Sequence, residues 1–247
     1  MQENGSSHGF ALVDRDGAGG SEAVELFQST DGGATWTSVF HNDPGQPGAS
    51  DSLPLAGIKN GMTFSDAQTG WVTGSLPVDG EVYLYKTQDG GVSWAKQTVP
   101  IPAGYQTYQS LAQAPVFFGK TAFLPLTFYL PGRTVLTFYT SQDGGDRWSG
   151  DPANADNDLQ PGLFAFADGA HGYVWDGGSS VYITNNGAQT WTGVATNLNL
   201  NGKLAQLEFA PFINVIPVGW ALTRVDETGH SQLYHTINGL QWKPLIP

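Results

Sequence analysis

The sequence contains no cysteine, few charged residues and no long apolar run. The absence of cysteine excludes both a disulfide framework and thiolate metal sites. Charged residues make up 13% of the 247 residues, about half of the usual share. No stretch approaches the roughly 18 consecutive apolar residues of a membrane span. We therefore expect no transmembrane segment, and the first residues also lack the charged and apolar regions of a signal peptide.

Basic residues are scarce as well. Ten Lys and Arg stand against 22 Asp and Glu, so the formal net charge is −12. A protein that binds phosphate backbones needs clustered cations. The sequence therefore predicts no nucleic-acid partner, and it disfavours an anionic membrane surface.

Glycine and aromatic residues are abundant instead. The chain has 33 Gly, and 12% of its residues are Phe, Trp or Tyr. Alternating β-branched and aromatic runs such as Glu81–Lys86 and Thr134–Tyr139 are typical of half-buried strands. No long window has helical periodicity. The composition therefore predicts an all-β protein with many turns.

One pattern, Ser/Thr-x-Asp/Asn-Gly followed by Trp three or four residues later, recurs five times at intervals near 50 residues, and three of the copies have a second Gly. A period of this length is typical of a β-propeller with about four strands per repeat. We expect about five four-stranded blades in one domain over residues 1–247, and the repeats cover approximately residues 8–40, 61–98, 114–150, 162–195 and 205–245.

The residues of the pattern predict a structural role. A short Asp or Asn side chain can accept bonds from backbone N–H groups ahead of it, and the following Gly allows positive φ. The Trp then re-enters the sheet and buries its ring between successive repeats. The residues given this structural role are Asp31, Trp36, Asp89, Trp94, Asp143, Trp148, Asn186, Trp191, Asn238 and Trp242.

This pattern resembles the Asp-box of BNR repeats, which occur in sialidases, sortilin-type receptors and xyloglucanase-type hydrolases. The additional aromatic-x-Asp-x-x-x-Gly-aromatic segment, as in Phe64–Trp71 and Phe166–Tyr173, is similar to bacterial relatives of the photosystem II assembly and stability factor family. The resemblance implies a β-propeller whose boxes lie on outer turns, away from the axis. It does not transfer an activity, since one fold serves many functions.

The chemistry that the resemblance implies can be compared with the residues present. Sialidases carry three Arg for a substrate carboxylate, and Arg15, Arg133 and Arg224 all fall in turns after a Gly-aromatic strand. The Phe/Tyr-Arg-x-Pro motif of sialidases is absent, and xyloglucanase-like enzymes need two propellers. An Arg-rich patch for a membrane-protein client is also missing. We therefore expect a non-catalytic binding or scaffold module for a protein or carbohydrate, with a sialidase-like glycoside hydrolase as the alternative.

Ligands of propellers usually meet the face formed by inter-blade connections and second turns. The candidates for this face are Arg15, Arg133, Arg224, Asp226, Tyr105 and Tyr108. Asp14 and Asp16 lie in a predicted turn over residues 14–21, where a calcium ion would find flexible carboxylate oxygens. The alternative for this segment is a plain Gly-rich hairpin turn. No other cofactor is expected.

The first repeat lacks the segment that precedes the Gly-aromatic strand in the other repeats. Either the ring of blades closes without this strand, or the chain is a fragment. We favour a five-bladed ring cut from a longer, exported protein that is secreted or held at the cell surface. We also expect a monomer.

Overall fold

The structure is a computed structural model that describes residues 7–42, 53–150, 159, 162–200, 203–210 and 218–245. These residues form β-strands and turns and include no helix, and hence none with the length and hydropathy needed to cross a bilayer. The chain divides into two compact units. The first comprises residues 1–116 and 124–130, and the second comprises residues 117–123 and 131–247. The assignment of residues 1–247 to a single domain stays a prediction.

The first unit begins with two antiparallel meanders, β1-β2-β3 and β4-β5-β6-β7. A further strand, β8, pairs with the next long strand of the chain. The strands are β1 (Gly9–Ala18), β2 (Ser21–Ser29), β3 (Thr37–His41), β4 (Ile58–Phe64), β5 (Gly70–Ser75), β6 (Tyr83–Thr87), β7 (Ala95–Lys96) and β8 (Gln109–Ala112).

The second unit ends with two four-stranded meanders, β12-β13-β14-β15 and β16-β17-β18-β19. The remaining strands are β9 (Val116–Phe118), β10 (Thr121–Leu130), β11 (Arg133–Ser141), β12 (Leu163–Phe166), β13 (Gly172–Trp175), β14 (Ser180–Thr184), β15 (Thr192–Ala195), β16 (Leu204–Phe209), β17 (Gly219–Thr223), β18 (Leu233–Thr236) and β19 (Trp242–Pro244). The first three residues of β10 belong to the second unit and the others to the first, where β10 pairs with β8.

Each sequence repeat forms a set of antiparallel strands, and β5 pairs with β8, so the second and third repeats share one eight-stranded sheet. The fold is an all-β β-propeller, as the repeat predicted. We call the strands of one repeat a blade: blade 1 is β1–β3, blade 2 is β4–β7, blade 3 is β8–β11, blade 4 is β12–β15 and blade 5 is β16–β19. In blades 2, 4 and 5 the first strand is an inner strand that pairs with the Gly-aromatic strand. In blade 1, β1 is itself the Gly-aromatic strand and lies at the edge of the three described strands.

The turn that carries the Asp or Asn of each repeat, here called the repeat turn, is locked by its own side chains. In blade 2, Thr87 Oγ1 donates to Asp89 Oδ1 (2.7 Å) and accepts from Gly91 N (2.9 Å). Asp89 Oδ1 also accepts from Ser93 N at 2.9 Å. Asn186 of blade 4 accepts from Thr190 N in the same way, at 3.0 Å. The turns therefore need an acceptor oxygen and do not need its charge.

The second Gly position of the repeat turn has a positive φ, which is why three of the five repeats have Gly there. Gly33, Gly91 and Gly145 have φ of 90°, 93° and 85°. Blade 4 has Ala188 at this position, and its φ of 63° is the one positive value of a non-Gly residue among the described residues. Ala188 therefore holds a left-handed conformation that costs an L-residue about 1–2 kcal/mol.

A recurrent group of three rings joins successive blades, and we call it the ring wedge. A Phe at the end of an inner strand lies flat on an aromatic ring of the preceding blade, and its ring meets the repeat-turn Trp of its own blade edge-on. The flat pairs are Phe10–Phe64 (centroids 3.5 Å apart), Phe123–Phe166 (4.0 Å) and Tyr173–Phe209 (4.0 Å), and the edge-on pairs are Phe64–Trp94 (6.2 Å), Phe166–Trp191 (6.1 Å) and Phe209–Trp242 (6.1 Å).

Four of the five repeat-turn Trp rings are buried, as predicted. The exposed fractions of Trp94, Trp148, Trp191 and Trp242 are 1, 5, 9 and 3%. The prediction of burial is wrong for Trp36, whose exposed fraction is 45%. The reason is that blade 1 has no described inner strand and hence no Phe to cover this ring.

Candidate functional site

An open depression of about 560 Å³ lies on blade 5, between the turn that follows β17 and the segment that precedes β16. Its floor includes Leu200, which is buried in the core of the second unit. Its polar lining residues are Asn199, Lys203, Thr223, Arg224, Asp226, His230, Ser231, Gln232 and Tyr234. The depression therefore combines cations, amides and hydroxyl groups over an apolar base.

The turn on one side of the depression is held rigid by Asp226. Its Oδ1 accepts from Thr228 N (2.8 Å), Thr228 Oγ1 (2.6 Å) and His230 N (3.0 Å). The Asp226 backbone N–H donates to His230 O at 2.8 Å. The bond from the Thr228 hydroxyl is the main reason why the pKa of Asp226 falls to about 2. Asp226 is thus an ionised turn-former at neutral pH.

Lys203 and Arg224 bring two positive charges to the depression, because the inner and second strands of blade 5 are paired here. Leu204 lies opposite Thr223, and Arg224 N donates to Lys203 O at 2.6 Å. Both side chains are exposed. In a chain with ten basic residues and a net charge of −12, this is a local concentration of positive charge suited to an anionic group.

Of the predicted Arg residues, only Arg224 lines this depression, together with the predicted Asp226. Arg15 lies in β1 and forms an ion pair with Glu25 of β2. Arg133 is the exposed first residue of β11. The three predicted Arg residues therefore lie in different surroundings: a depression, an ion pair and an exposed strand end.

The predicted turn over residues 14–21 is wrong in its extent, because β1 continues to Ala18 and β2 starts at Ser21. Asp14 and Asp16 pair with Val24 and Ala23, on either side of a β-bulge, so they lie in a strand and not in a flexible loop. No cluster of three or more His, Asp or Glu able to hold a metal occurs in the described part of the chain. The calcium site therefore stays a prediction.

The predicted aromatic candidates have different accessibility. Tyr105 is buried, with its ring edge-on to Phe128 at 5.0 Å, so the expectation of an accessible ring is wrong. It is buried because its loop folds back on β10. Tyr108 is half-buried, and its carbonyl accepts from Gly80 N at 3.1 Å. Tyr129 is 47% exposed and lines a separate depression of about 310 Å³ with Asn60 and Gln109.

Sequence reasoning missed Lys203, Gln232 and Tyr234. Gln232 continues the strand pairing past β17, since Thr223 N donates to its carbonyl at 3.0 Å, and its side chain accepts from the Tyr234 hydroxyl at 2.7 Å. The repeat did contain a signal for Lys203. The first two strands of a blade are antiparallel, so residues at the start of the first strand lie opposite the end of the second. Applied to blade 5, this rule places Lys203 beside Arg224.

Lys59 was also missed, and it is a buried cation in the first unit. Its Nζ donates to three backbone carbonyls, those of Glu22 (2.7 Å), Leu55 (2.9 Å) and Gly57 (3.0 Å). Burial lowers the pKa of this ammonium group to about 8. All three protons are engaged, so Lys59 joins blade 1 to the start of blade 2 and is not available to a ligand.

Comparison with known proteins gives structural likeness only. No protein-family model and no curated protein matches the chain. Among solved structures, an ancestral GH74 enzyme is 16% identical with a TM-score of 0.55, over 94% of this chain and 32% of that one. "YCF48 bound to D1 peptide" is 19% identical with a TM-score of 0.47, over 76% and 54% of the two chains. YCF48 from Cyanidioschyzon merolae is 17% identical with a TM-score of 0.48, over 78% and 58%.

This chain thus spans a third to three fifths of the length of these proteins. At such identities the likeness to the GH74 enzyme extends to the fold and no further. It agrees with the sheets described above: the chain is a β-propeller.

Proposed function

We propose that this chain is a non-catalytic binding or scaffold β-propeller, and that the depression on blade 5 binds a carboxylate-bearing segment of a protein or an acidic glycan. The proposal rests on one observation: Lys203 and Arg224 line one open depression. Asp226, the one carboxylate among its described lining residues, is engaged in its own turn. An Arg guanidinium can hold a carboxylate through two parallel hydrogen bonds. The amides of Asn199 and Gln232 suit the remaining polar groups of either ligand.

The same geometry argues against hydrolysis at this depression. Glycoside hydrolysis uses two carboxyl groups, one of which must be protonated to act as the acid. Asp226 is a poor acid because its pKa is near 2 and its Oδ1 already accepts three bonds. A sialidase-like hydrolase remains the alternative. Its one support at this depression is that the Arg224 guanidinium can bind the carboxylate of an acidic sugar.

We also propose that the repeat turns belong to the Asp-box class and that the protein is exported or at the cell surface. Support for the first part comes from the shared bonds of the turns in blades 1 to 4, in which the Ser or Thr hydroxyl binds both the Asp or Asn side chain and a backbone N–H. Fractionation of the native organism tests the second part.

Arrays of acidic peptides and of glycans with uronic or sialic acids test the proposal and identify the ligand class. For the best hit, Arg224→Ala and Lys203→Ala should each weaken binding by roughly tenfold or more. Lys243→Ala is the matched control, since Lys243 is an exposed cation of blade 5 outside the depression. It should change affinity by less than about twofold.

Three results would contradict the proposal: no hit on either array, equal losses in Lys243→Ala and Arg224→Ala, or hydrolysis of a fluorogenic sialoside that Arg224→Ala abolishes. The last result would establish the hydrolase alternative.

A further inference from the structure

The depression that Tyr129 lines in the first unit is formed by four neighbouring strands, β4, β5, β8 and β10. Ile58 of β4 lies opposite Ser75 of β5, and Ser75 lies opposite Leu111 of β8. All three residues are half-buried and line the depression. Its volume of about 310 Å³ is at the lower end of the range of small-ligand pockets, about 300–1,000 Å³.

Tyr129 and Gln109 form a pair on one side of this depression. They lie directly opposite each other where β10 pairs with β8. Side chains at such positions leave the same face of a sheet with their Cβ atoms about 4.5–5.5 Å apart, so the Gln109 amide lies beside the Tyr129 ring. Both side chains are exposed, and neither forms a hydrogen bond within the described residues. The ring and the amide are therefore both accessible to a ligand.

A second amide, that of Asn60, comes from β4. The pairing of β4 with β5 shifts register between Lys59 and Gly61, so Asn60 is the extra residue of a β-bulge. Lys59 is buried and donates to three backbone carbonyls, whereas Asn60 is exposed. The Asn60 side chain has no hydrogen-bond partner in the part of the chain that the structure describes. The bulge thus gives the depression an uncharged amide and keeps the neighbouring ammonium group away from it.

The chemistry of these groups suits a neutral sugar. The lining residues that the structure describes carry no charge, so the depression offers no counter-charge to an ionic ligand. An amide both donates and accepts hydrogen bonds, as does a sugar hydroxyl. The face of a Tyr ring is apolar and can cover the C–H face of a pyranose.

A peptide fits this depression less well than a sugar. Peptides that bind to sheets do so by adding a strand to a free edge. Here β8 is paired on both sides, with β5 and with β10. Recognition at this position must therefore come from side chains.

We propose that Asn60, Gln109 and Tyr129 form a second binding site, which takes a neutral saccharide. One sugar ring stacks on Tyr129, and its hydroxyl groups bond to the amides of Gln109 and Asn60. This site shares no described lining residue with the depression on blade 5. It therefore does not depend on the acidic ligand that we propose for blade 5.

The probes are the β-1,4-linked tetrasaccharides of glucose, xylose, mannose and galactose. Calorimetric titration of the wild-type chain should detect saturable binding of at least one of them at millimolar concentration. In nitrogen-edited NMR spectra, that saccharide should shift the backbone amide signals of Asn60, Gln109 and Tyr129. It should leave those of Lys203 and Arg224 unchanged.

Variants of the three residues test the role of each group. Tyr129→Ala should weaken binding by roughly tenfold or more, whereas Tyr129→Phe keeps the ring and should stay within about twofold of the wild type. Gln109→Ala and Asn60→Ala each remove hydrogen bonds, so each should weaken binding by roughly three- to tenfold. Melting curves show which variants are folded, and the exposed Gln109 and Asn60 provide the test if Tyr129→Ala is not.

Two control variants localise the effect. Trp220→Ala removes another exposed aromatic ring, 38% exposed, from blade 5, and it should bind the saccharide like the wild type. Arg224→Ala should also bind it like the wild type, although the same change should weaken binding of an acidic ligand. The two proposed sites can therefore fail separately.

The proposal is overturned if none of the four saccharides binds at millimolar concentration, or if the bound saccharide shifts amide signals elsewhere and not those of Asn60, Gln109 and Tyr129. It is also overturned if folded Tyr129→Ala, Gln109→Ala and Asn60→Ala all bind like the wild type. A loss in Arg224→Ala or Trp220→Ala as large as that in Tyr129→Ala would assign the saccharide to blade 5 and overturn it equally.

Discussion

The ring of Phe166 lies flat on the ring of Phe123, with centroids 4.0 Å apart and planes inclined by 6°. Phe166 is also edge-on to Trp191 of its own blade, at 6.1 Å. The same arrangement occurs at Phe64 and at Phe209, so it belongs to the repeat and not to one site. These aromatic residues are therefore structural, and the ligand site must be sought in residues that the repeats do not share.

The first prediction compares two Trp residues at corresponding positions. Trp94 is buried and its Nε1 donates to Gly91 O at 2.9 Å, so Trp94→Ala should lower the free energy of unfolding by about 3–5 kcal/mol. Trp36→Ala should cost less than about 1 kcal/mol, because the ring is half exposed. Urea unfolding of both variants measures the difference, and equal losses would contradict the account of the ring wedge.

The second prediction concerns acid stability. The hydroxyl bond from Thr35 lowers the pKa of Asp31 to about 2, and the backbone bond from Arg147 lowers that of Asp143. The pKa of Asp89 is also lowered, although burial opposes the shift. A carboxyl group whose pKa is lower in the folded state stabilises the fold above its unfolded pKa, and the contribution disappears as the pH falls from about 4 towards 2.

Replacing all three by Asn should keep the turns, since Asn186 forms a repeat turn already. The triple variant should therefore lose less of its melting temperature between pH 5 and pH 2 than the wild type, by roughly 2–4 °C. A control with Asp79→Asn, Glu208→Gln and Glu227→Gln removes the same charge at exposed acids outside the repeat turns. If the control matches the Asn triple, net charge and not turn geometry determines acid stability.

The third prediction uses the strained Ala188. Its φ of 63° is a conformation that Gly adopts without steric cost, but Ala188→Gly also removes a buried methyl group worth about 0.8 kcal/mol. Because the relieved strain of about 1–2 kcal/mol is larger, the variant should be more stable by less than about 1 kcal/mol. The reverse change at the corresponding position, Gly33→Ala, should destabilise it by about 1–2 kcal/mol, since Gly33 has φ of 90°. Thermal unfolding measures both, and a loss of about 1 kcal/mol or more in Ala188→Gly would show that the strain is absent.

Much of the fold could be predicted from the sequence because the repeat specifies it locally. The Asp or Asn, the Gly and the Trp each have one physical role, and five copies at similar intervals define five blades. The extent of β1 was not predictable in this way. Gly17 and Gly19 suggested a long turn, whereas a β-bulge near Arg15 lets the strand continue to Ala18.

The candidate site was only half predictable, because it is formed by residues that differ from blade to blade. Arg224 and Asp226 stood out as charges in a turn, but Lys203 joins them through the pairing of β16 with β17. For Trp36 and Tyr105 the residue type was recognised but the degree of burial was predicted wrongly. The pattern gives the type of residue at a position, whereas burial depends on which neighbouring segment covers it.

The central claim is that the repeat residues maintain the fold while binding resides in the depression on blade 5. Titration of one array-identified acidic ligand into two variants tests it most directly: Lys203→Ala/Arg224→Ala, and Asp31→Asn/Asp89→Asn/Asp143→Asn. The account predicts that the first variant melts like the wild type at neutral pH and loses binding, while the second binds like the wild type. Loss of binding by the folded Asn variant, with binding retained by the Ala variant, would contradict it.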